Sequence, residues 1–269
     1  LERCRRDSFS ESEVHEKVRE IVGNFLKTLL TSKKTIVLTG AGVSTASGIP
    51  DFRGPKGIYT RLSPRVFDIN WFYENPEEFY KIARQHIFPM LSASPNPCHR
   101  MLSVLEEKGL IEAVITQNID GLHQKAGSRK VIELHGTIYR SICTRCSASF
   151  DHTQLLKSLE DSTIPRCSHC GGLMKPDVVF FGENLPADAL QESFELAEKA
   201  DLCIAMGTSL VVYPAAMIPE ITHNSGGKVI IVNRGETGLD HIAYAKYNVD
   251  LVEFSRAVLE SFEKEVNRC

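Results

Sequence analysis

TIVLTGAGVSTASG, residues 35–48, joins a short apolar run to a glycine turn. The run Thr35–Thr39 is rich in β-branched residues, which indicates a buried strand. Gly40 and Gly42 follow it directly, and a backbone without side chains can approach a diphosphate closely at a helix start. The third glycine comes only at Gly48, so the spacing is not G-x-G-x-x-G. The motif alone leaves two interpretations open, a nucleotide site and a tight turn without a ligand.

The pattern of a short apolar run followed by a helical segment recurs along the chain. Further strands are predicted at residues 112–116, 131–134, 177–181, 202–206 and 228–232. Helices are predicted up to about residue 31, after Asn75-Pro76, Asn96-Pro97 and Pro186, and from about 251 to 266. Strands that alternate with helices favour an α/β fold, with a mostly parallel sheet covered by helices on both faces. Ligands of such sheets bind beyond the carboxyl ends of the strands.

Two stretches interrupt the alternation, and each indicates an insertion. Residues 55–107 are mainly helical in pattern, and residues 137–175 carry two cysteine pairs. We therefore expect a large sheet domain from residues 32–54, 108–136 and 176–269, with the N-terminal helix of residues 1–31 packed on it. The two insertions would together form a smaller domain.

The composition is that of an ordinary globular protein. Of 269 residues, 42% are hydrophobic and 24% charged, which excludes a disordered chain and a small disulfide scaffold. The formal charge of -3 supplies no excess of cations for a phosphate backbone. Nucleic acid is therefore not an expected partner.

The uncharged run at residues 202–219 reaches the length of a membrane span. It contains Gly207, Pro214 and Pro219, which favour a strand, a turn and a helix start over one spanning helix. We therefore expect no membrane partner and a cytoplasmic location. A nuclear or organellar location stays open, because the chain starts at Leu1 rather than at Met and a targeting segment would precede it.

Four of the eight cysteines form two C-x2-C pairs, Cys143 with Cys146 and Cys167 with Cys170. About 20 residues separate the pairs, a spacing that fits a tetrahedral zinc site with four thiolate ligands. Redox-active pairs are one alternative, but they lack the usual strand-to-helix context, and disulfides are another, typical of secreted chains. Four thiolates leave no open position for water, so we expect one structural Zn2+.

Five motifs occur along the chain in a fixed order: GAGVSTASGIPDFRG at residues 40–54, TQNIDGLH at 116–123, ELHG at 133–136, VVFFGE at 178–183 and GTSL at 207–210. In these motifs the chain resembles the sirtuin family of NAD-dependent protein deacylases, from about Lys33 onward. The resemblance implies a Rossmann-like sheet domain that binds NAD as a co-substrate. It also implies a smaller domain made of a helical module and a Cys4 zinc ribbon.

The resemblance assigns the chemistry to three residues. His135 would be the general base that acts on a ribose hydroxyl, Asn118 would order the ribose and a water, and Asp120 would bind the nicotinamide carboxamide. Taken singly, a polar residue after a strand is most often a turn former, and a histidine is most often structural, as we expect of His99 and His123. The other implied cofactor contacts are Gly40, Ala41, Gly42, Thr45, Ile49, Asp51, Phe52, Arg53, Gln117, Ile119, Gly207, Thr208, Ser209, Asn233, Asn248 and Val249.

The substrate implied by the resemblance is an acetyl-lysine protein or peptide, bound as an added β-strand. The segments implied to hold it contain Val179, Phe181, Gly182, Glu183, Val211 and Val212, and on their apolar pattern alone they would equally be core strands. One departure bears on the acyl group. Sirtuins that prefer acidic acyl groups resemble one another in a Tyr-x-x-Arg, whereas here Tyr80 is followed three residues later by Ala83. We therefore expect a preference for uncharged acyl groups such as acetyl.

The implied activity is that of an NAD-dependent protein lysine deacetylase. It would transfer the acetyl group to ADP-ribose and release nicotinamide, O-acetyl-ADP-ribose and deacetylated lysine. Mono-ADP-ribosyl transfer from the same pocket is one alternative. A zinc-ribbon binding module is another, and both the charge and the pocket residues speak against it.

Overall fold

The computed structural model describes residues 11–52, 54 and 57–266. The strands are β1 Thr35–Thr39, β2 Ala113–Thr116, β3 Val131–Glu133, β4 Gly136–Cys143, β5 Ser149–Asp151, β6 Met174–Val178, β7 Leu202–Met206, β8 Lys228–Val232 and β9 Ala245–Tyr247. The α-helices are α1 Glu11–Thr31, α2 Ile69–Glu74, α3 Pro76–His86, α4 Pro97–Glu107, α5 Leu122–Lys125, α6 His152–Asp161, α7 Ala187–Lys199, α8 Met217–Asn224 and α9 Leu251–Val266.

Six strands form a parallel sheet in the order β3-β2-β1-β7-β8-β9. Every residue of β1, β2 and β7 is buried, because helices cover both faces of the sheet. The predicted α/β class with a parallel sheet is confirmed. The bounds of β1, β7 and β8 are those predicted, while β2 begins one residue later and β3 ends one residue earlier than predicted.

Two apolar cores lie on opposite faces of this sheet, because successive side chains of a strand point to opposite faces. Val37 of β1 packs in one core with residues of α1, α4 and α9. Ile36 and Leu38 pack in the other with residues of α7 and α8. In the first core the rings of Phe25 and Phe254 meet edge to face with centroids 5.0 Å apart, which joins α1 to α9.

A second sheet is antiparallel, in the order β5-β4-β6. The prediction of a core strand at residues 177–181 is wrong in position, since β6 ends at Val178 and pairs with β4 instead of joining the parallel sheet. The physical reason is that the position of β6 is set by its pairing with β4, which extends to the pair Gly136 and Val178. The apolar run after β6 consists instead of residues that line the cleft. β4, β5 and β9 lack a continuous apolar run, and the apolar pattern does not predict them.

A third apolar core joins the helical segment to the small sheet. Phe72, Phe79 and Tyr80 pack there with Ile138 of β4 and Phe150 of β5. It therefore stands apart from the two cores of the parallel sheet, and residues of both parts line the cleft described below. Within the described ranges, no helix is long and apolar enough to cross a membrane.

Candidate active site

A cleft of about 1020 Å³ opens at the carboxyl ends of β1, β2, β7 and β8. Its sheet side is formed by the turns that follow these strands, and its other side by residues of the helical segment, among them Tyr59, Phe67 and Phe79. The cleft thus lies where parallel sheets bind ligands. The structure brings most of the predicted site residues to it.

The glycine turn after β1 packs directly on the turn after β7. The Gly42 amide donates to the Gly207 carbonyl over 2.9 Å. A Cβ added to Gly42 would lie 2.7 Å from Gly207 Cα, and one added to Gly40 would lie 2.8 Å from Gly207 O, so neither position accepts a side chain. After this turn the chain enters a 3-10 helix, Ala41–Ser47.

Ser44 is the centre of a buried hydrogen-bond network at the bottom of the cleft. Its hydroxyl donates to Asp120 Oδ2 over 2.7 Å and accepts from Asn118 Nδ2 over 3.1 Å. Asp120 Oδ1 accepts from the Leu122 amide, and Asn118 Nδ2 also donates to the Gly40 carbonyl. Asn118 Oδ1 accepts no hydrogen bond from a described residue. The network therefore fixes both side chains and leaves one amide oxygen for a ligand.

Two buried histidines support this network from behind. The Asn96 amide donates to His99 Nδ1, so in the neutral ring Nε2 carries the proton and donates to Ser44 Oγ over 3.3 Å. His123 Nε2 lies 2.9 Å from Thr39 Oγ1, and the two rings meet at 5.0 Å. Burial lowers the pKa of His99 to about 4, against the opposite effect of the Asp120 charge. Burial lowers the pKa of His123 to about 3.

His135 lies at the end of β3, beside the segment that follows β2. Its Nδ1 lies 2.9 Å from the Gln117 carbonyl oxygen, and its own carbonyl accepts from the Val179 amide. Burial lowers the pKa of His135 below its ordinary value, and the hydrogen bond to Gln117 opposes this in part. The ring is therefore neutral at neutral pH. Gln117 in turn donates to Thr208 Oγ1 over 3.0 Å, which ties the segment to the turn after β7.

Most predicted cofactor contacts line the cleft: Gly40, Ala41, Gly42, Ile49, Asp51, Phe52, Gln117, Asn118, Ile119, Asp120, His135, Gly207, Thr208, Ser209 and Asn233. Among the described residues, Thr45, Asn248 and Val249 do not line it. Asn248 accepts from the Gly235 amide, and Val249 packs against the core with α9. Arg53 lies outside the described residues.

Of the predicted peptide contacts, Val179, Phe181, Gly182, Glu183 and Val212 line the cleft, and Val211 is exposed beside it. Phe181 is already paired on one side, where its amide donates to the Phe67 carbonyl and its carbonyl accepts from Ile69. The backbones of Gly182 and Val211 form no hydrogen bond with a described residue. These two residues leave unpaired main-chain groups beside the cleft.

Sequence reasoning missed some residues at the cleft. Ser44 lies inside the glycine motif of residues 40–54, and its hydroxyl, two residues after Gly42, is the sequence signal that could have identified it as a site residue. Arg234 and Glu236 line the cleft directly after Asn233, at the end of β8. Ile87 and Met90 line it from the helical segment, where only the fold brings them near the sheet.

The four paired cysteines form a compact cluster, with all four Sγ atoms within 4.8 Å of one another. Cys143 and Cys170 are 3.5 Å apart at sulfur, and Cys146 and Cys167 are 3.7 Å apart. A tetrahedron of sulfurs at a Zn–S distance of about 2.3 Å has edges of about 3.8 Å, so the donor set fits Zn2+. The side chains of Cys143 and Cys167 are buried, as suits a structural ion.

Residues 40–214 match the model of the Sir2 family. The chain is 59% identical over 236 residues to an NAD-dependent protein deacetylase of Thermotoga maritima, covering 88% of this chain and 96% of that protein. It is similar to a solved Sir2 structure with a p53 peptide and NAD+ (TM-score 0.85, 56% identity, covering 90% of this chain and 98% of that one). A Sir2 variant with deacetylated p53 peptide and 3'-O-acetyl ADP ribose has a TM-score of 0.87 at 57% identity, covering 89% and 98%.

Proposed function

The chain belongs to the Sir2 family, and from this premise we propose that it is an NAD-dependent protein lysine deacetylase. It consumes NAD and one water and releases nicotinamide, O-acetyl-ADP-ribose and deacetylated lysine. The observation that carries the proposal is the juxtaposition in one cleft of His135, the Asn118–Asp120 pair and the turn at Gly182, whose main chain pairs with no described residue. Nucleotide chemistry and peptide binding therefore meet at one place.

NAD supplies the ribose carbon C1′ that the acyl oxygen attacks as nicotinamide leaves. Asp120 binds the carboxamide of nicotinamide, since each carboxylate oxygen accepts one protein hydrogen bond and keeps a lone pair free. Asn118 offers Oδ1 to a ribose hydroxyl or a water. The turn at Gly40 and Gly42, which carries no side chains there, lets the diphosphate approach the main chain, and the Thr208 hydroxyl is a donor beside it.

His135 acts as the general base. Its neutral ring holds a proton on Nδ1, because the Gln117 carbonyl can only accept, and so Nε2 is left with the lone pair that takes the ribose proton. Phe52, which packs against Tyr59 and Phe67, shields the reacting ribose from water.

The partner is an acetyl-lysine protein or peptide. Solved Sir2 structures hold acetylated and propionylated peptides. In this chain the free backbone groups of Gly182 and Val211 would pair with the peptide as an added strand, so that the main chain supplies affinity with little sequence selectivity. The alternatives of mono-ADP-ribosyl transfer and of a zinc-ribbon binding module are not favoured, because the similar proteins are deacetylases.

The domain division is part of the proposal: residues 32–54, 108–136 and 176–269 form the NAD-binding domain, with residues 55–107 and 137–175 as the smaller one. The separate apolar core of the smaller part supports it. We also propose a cytoplasmic location, because a thiolate zinc site and free buried cysteines such as Cys98 and Cys203 suit a reducing compartment.

The test is incubation with an acetyl-lysine peptide, with and without NAD, followed by mass analysis of peptide and nucleotide products. We expect loss of the acetyl mass only with NAD, together with O-acetyl-ADP-ribose and nicotinamide. A peptide that gains ADP-ribose and keeps its acetyl group would support transferase activity instead. Deacetylation without NAD would refute the proposal.

A further inference from the structure

Lys175 is a largely buried lysine that the proposed reaction does not use. Its side chain is 12% exposed, and its ammonium lies 2.6 Å from the Val178 carbonyl, 2.9 Å from Glu183 Oε2 and 3.4 Å from the Pro176 carbonyl. The same ammonium lies 4.4 Å from the centroid of the Phe180 ring. One cation thus joins the end of β6 to the segment that follows it.

The segment so joined is the turn of residues 180–183, whose Gly182 main chain forms no hydrogen bond with a described residue. Glu183 Oε2 accepts from the Phe180 amide over 2.8 Å, and the Glu183 amide donates to the Phe180 carbonyl over 3.0 Å. Lys175 therefore neutralises the carboxylate that closes the turn. Without the cation, this half-buried carboxylate and two carbonyls would lose their shared donor.

Hydrogen bonds of the main chain hold both the residue that carries the cation and the turn that it contacts. Lys175 pairs in β6 with Ile142 of β4, so its main chain is held in the small sheet. On the far edge, Phe181 is tied to Phe67 and Ile69. Gly182 lies between these two anchors, lines the cleft and has a left-handed φ of 92°.

We propose that Lys175 is a positioning residue for the substrate peptide, which holds the turn of residues 180–183 in the shape that leaves the Gly182 main chain free to pair with the peptide backbone. The inference rests on the proposed deacetylase function and deepens it. A turn ordered in advance lowers the entropic cost of peptide binding. The effect should fall on the peptide and not on NAD, because Lys175 contacts none of the described residues placed around the nucleotide.

The test compares Lys175→Met, which keeps the stem and removes the charge, with Lys175→Arg, which restores a cation. Lys81→Met is the matched control, since Lys81 is 70% exposed and its one ion pair with a described residue is to Glu78, at 3.9 Å. Steady-state kinetics with an acetyl-lysine peptide and with NAD, and fluorescence anisotropy of a labelled peptide, are measured on the zinc-loaded protein. Melting temperature and zinc content check the fold.

For Lys175→Met we expect a rise of about tenfold in the peptide KM and Kd, equivalent to about 1.4 kcal/mol. The KM for NAD and kcat should stay within about twofold, and Lys175→Arg should recover most of the peptide affinity. Glu183→Gln removes the ion pair between Glu183 and Lys175, and it replaces Lys175→Met in this test if that variant does not fold. Where both fold, the effects of the two changes should not add.

Three results would overturn the inference. They are an unchanged peptide KM and Kd in an active Lys175→Met protein, equal rises for peptide and NAD, and an arginine variant no better than the methionine one. A wild-type protein that does not deacetylate would refute the proposed function itself, and with it the task of Lys175. The two failures are thereby distinguishable.

Discussion

His135 Nδ1 lies 2.9 Å from the carbonyl oxygen of Gln117, and this contact decides which nitrogen of the ring is available for chemistry. The two residues follow neighbouring strands, where Thr116 of β2 pairs with Glu133 of β3. Parallel pairing brings the carboxyl ends of both strands to one edge. The register of the sheet therefore places the main-chain carbonyl that orients the base.

Removal of the imidazole tests this role. His135→Ala should lower kcat at least about 100-fold, because general base catalysis contributes about 10² to 10⁴ in rate. Melting temperature and zinc content should stay at wild-type values. Steady-state kinetics and metal analysis measure both, with His241→Ala as control, since His241 is exposed in a 3-10 helix remote from β3 in the chain. A rate within tenfold of wild type would remove His135 from the mechanism.

The pH dependence of the rate follows from the lowered pKa of His135. The base must be neutral, so kcat/KM falls as the pH drops through the pKa of the folded protein, which burial holds below 6.5. We expect a flat profile above about pH 7 and a slope approaching tenfold per pH unit below the midpoint. Measurement of kcat/KM for NAD between pH 5 and 8 gives the midpoint. A midpoint above 7 would contradict a desolvated base.

The buried pair of His99 and His123 predicts a stability effect with a definite sign. Their folded pKa values of about 4 and about 3 lie below the ordinary 6.5, so the unfolded chain binds more protons between these limits. The contribution of the two histidines to the free energy of unfolding is therefore at its maximum above about pH 6.5, and it decreases as the pH is lowered. Each histidine contributes a slope of up to about 1.4 kcal/mol per pH unit.

His123→Gln separates this effect from general acid sensitivity. His123 Nδ1 is buried and has no hydrogen-bond partner among the described residues, whereas Nε2 contacts Thr39, and a glutamine amide can replace that contact. Between pH 6 and 5 the slope should decrease by about 1.4 kcal/mol per pH unit relative to wild type. Urea unfolding at several pH values measures it, with His241→Ala as a control of unchanged slope. Parallel curves for wild type and His123→Gln would exclude the assignment.

Much of the fold can be predicted from the local pattern of apolar residues. Buried strands of a parallel sheet consist of nearly continuous apolar runs, so the first and last residues of β1, β7 and β8 can be predicted from the sequence. β6 cannot, because its sequence MKPDV has no strand pattern and its position depends on β4, more than 30 residues earlier in the chain. Long-range pairing of this kind leaves no local signal.

The same contrast holds at the cleft. Asn118, Asp120 and His135 follow predicted strands directly, and their meeting at one edge is a consequence of parallel topology. Met90 and Ile87 reach the cleft from a helical segment whose orientation no periodicity defines. The Lys175 contacts likewise need the turn of residues 180–183 in three dimensions.

The hydrogen bonds of Tyr80 and Arg84 bear on the preference for uncharged acyl groups. The Tyr80 hydroxyl donates to the Met174 carbonyl, and Arg84 donates to the Leu159 carbonyl, so both are committed to the small domain. Phe79, Ile87 and Met90, which are apolar, line the cleft from the helical segment. An acidic acyl group placed beside them would lose its hydration, and no described lysine or arginine of the helical segment lines the cleft.

We therefore expect kcat/KM for an acetyl-lysine peptide to exceed that for the succinyl-lysine peptide of the same sequence by at least about tenfold, or about 1.4 kcal/mol. Paired assays with the two peptides at saturating NAD measure the ratio. A propionyl-lysine peptide is the control for size without charge and should be turned over. Faster turnover of the succinyl peptide would show that a cation reaches the acyl group.

Gly172 gives the sharpest test of the zinc site, because a Cβ there would lie 2.8 Å from Cys143 Sγ and 3.2 Å from Cys170 Sγ. The extra methyl must displace a ligand sulfur, so Gly172→Ala should bind Zn2+ about 10 to 100 times more weakly, as changes next to metal ligands do. Competition with a chromogenic chelator measures the affinity, and one zinc per wild-type chain is expected. Gly23→Ala is the control, since a Cβ on that helical glycine meets nothing within 4 Å. Equal zinc affinity in all three proteins would mean that the cluster does not hold the ion through these sulfurs.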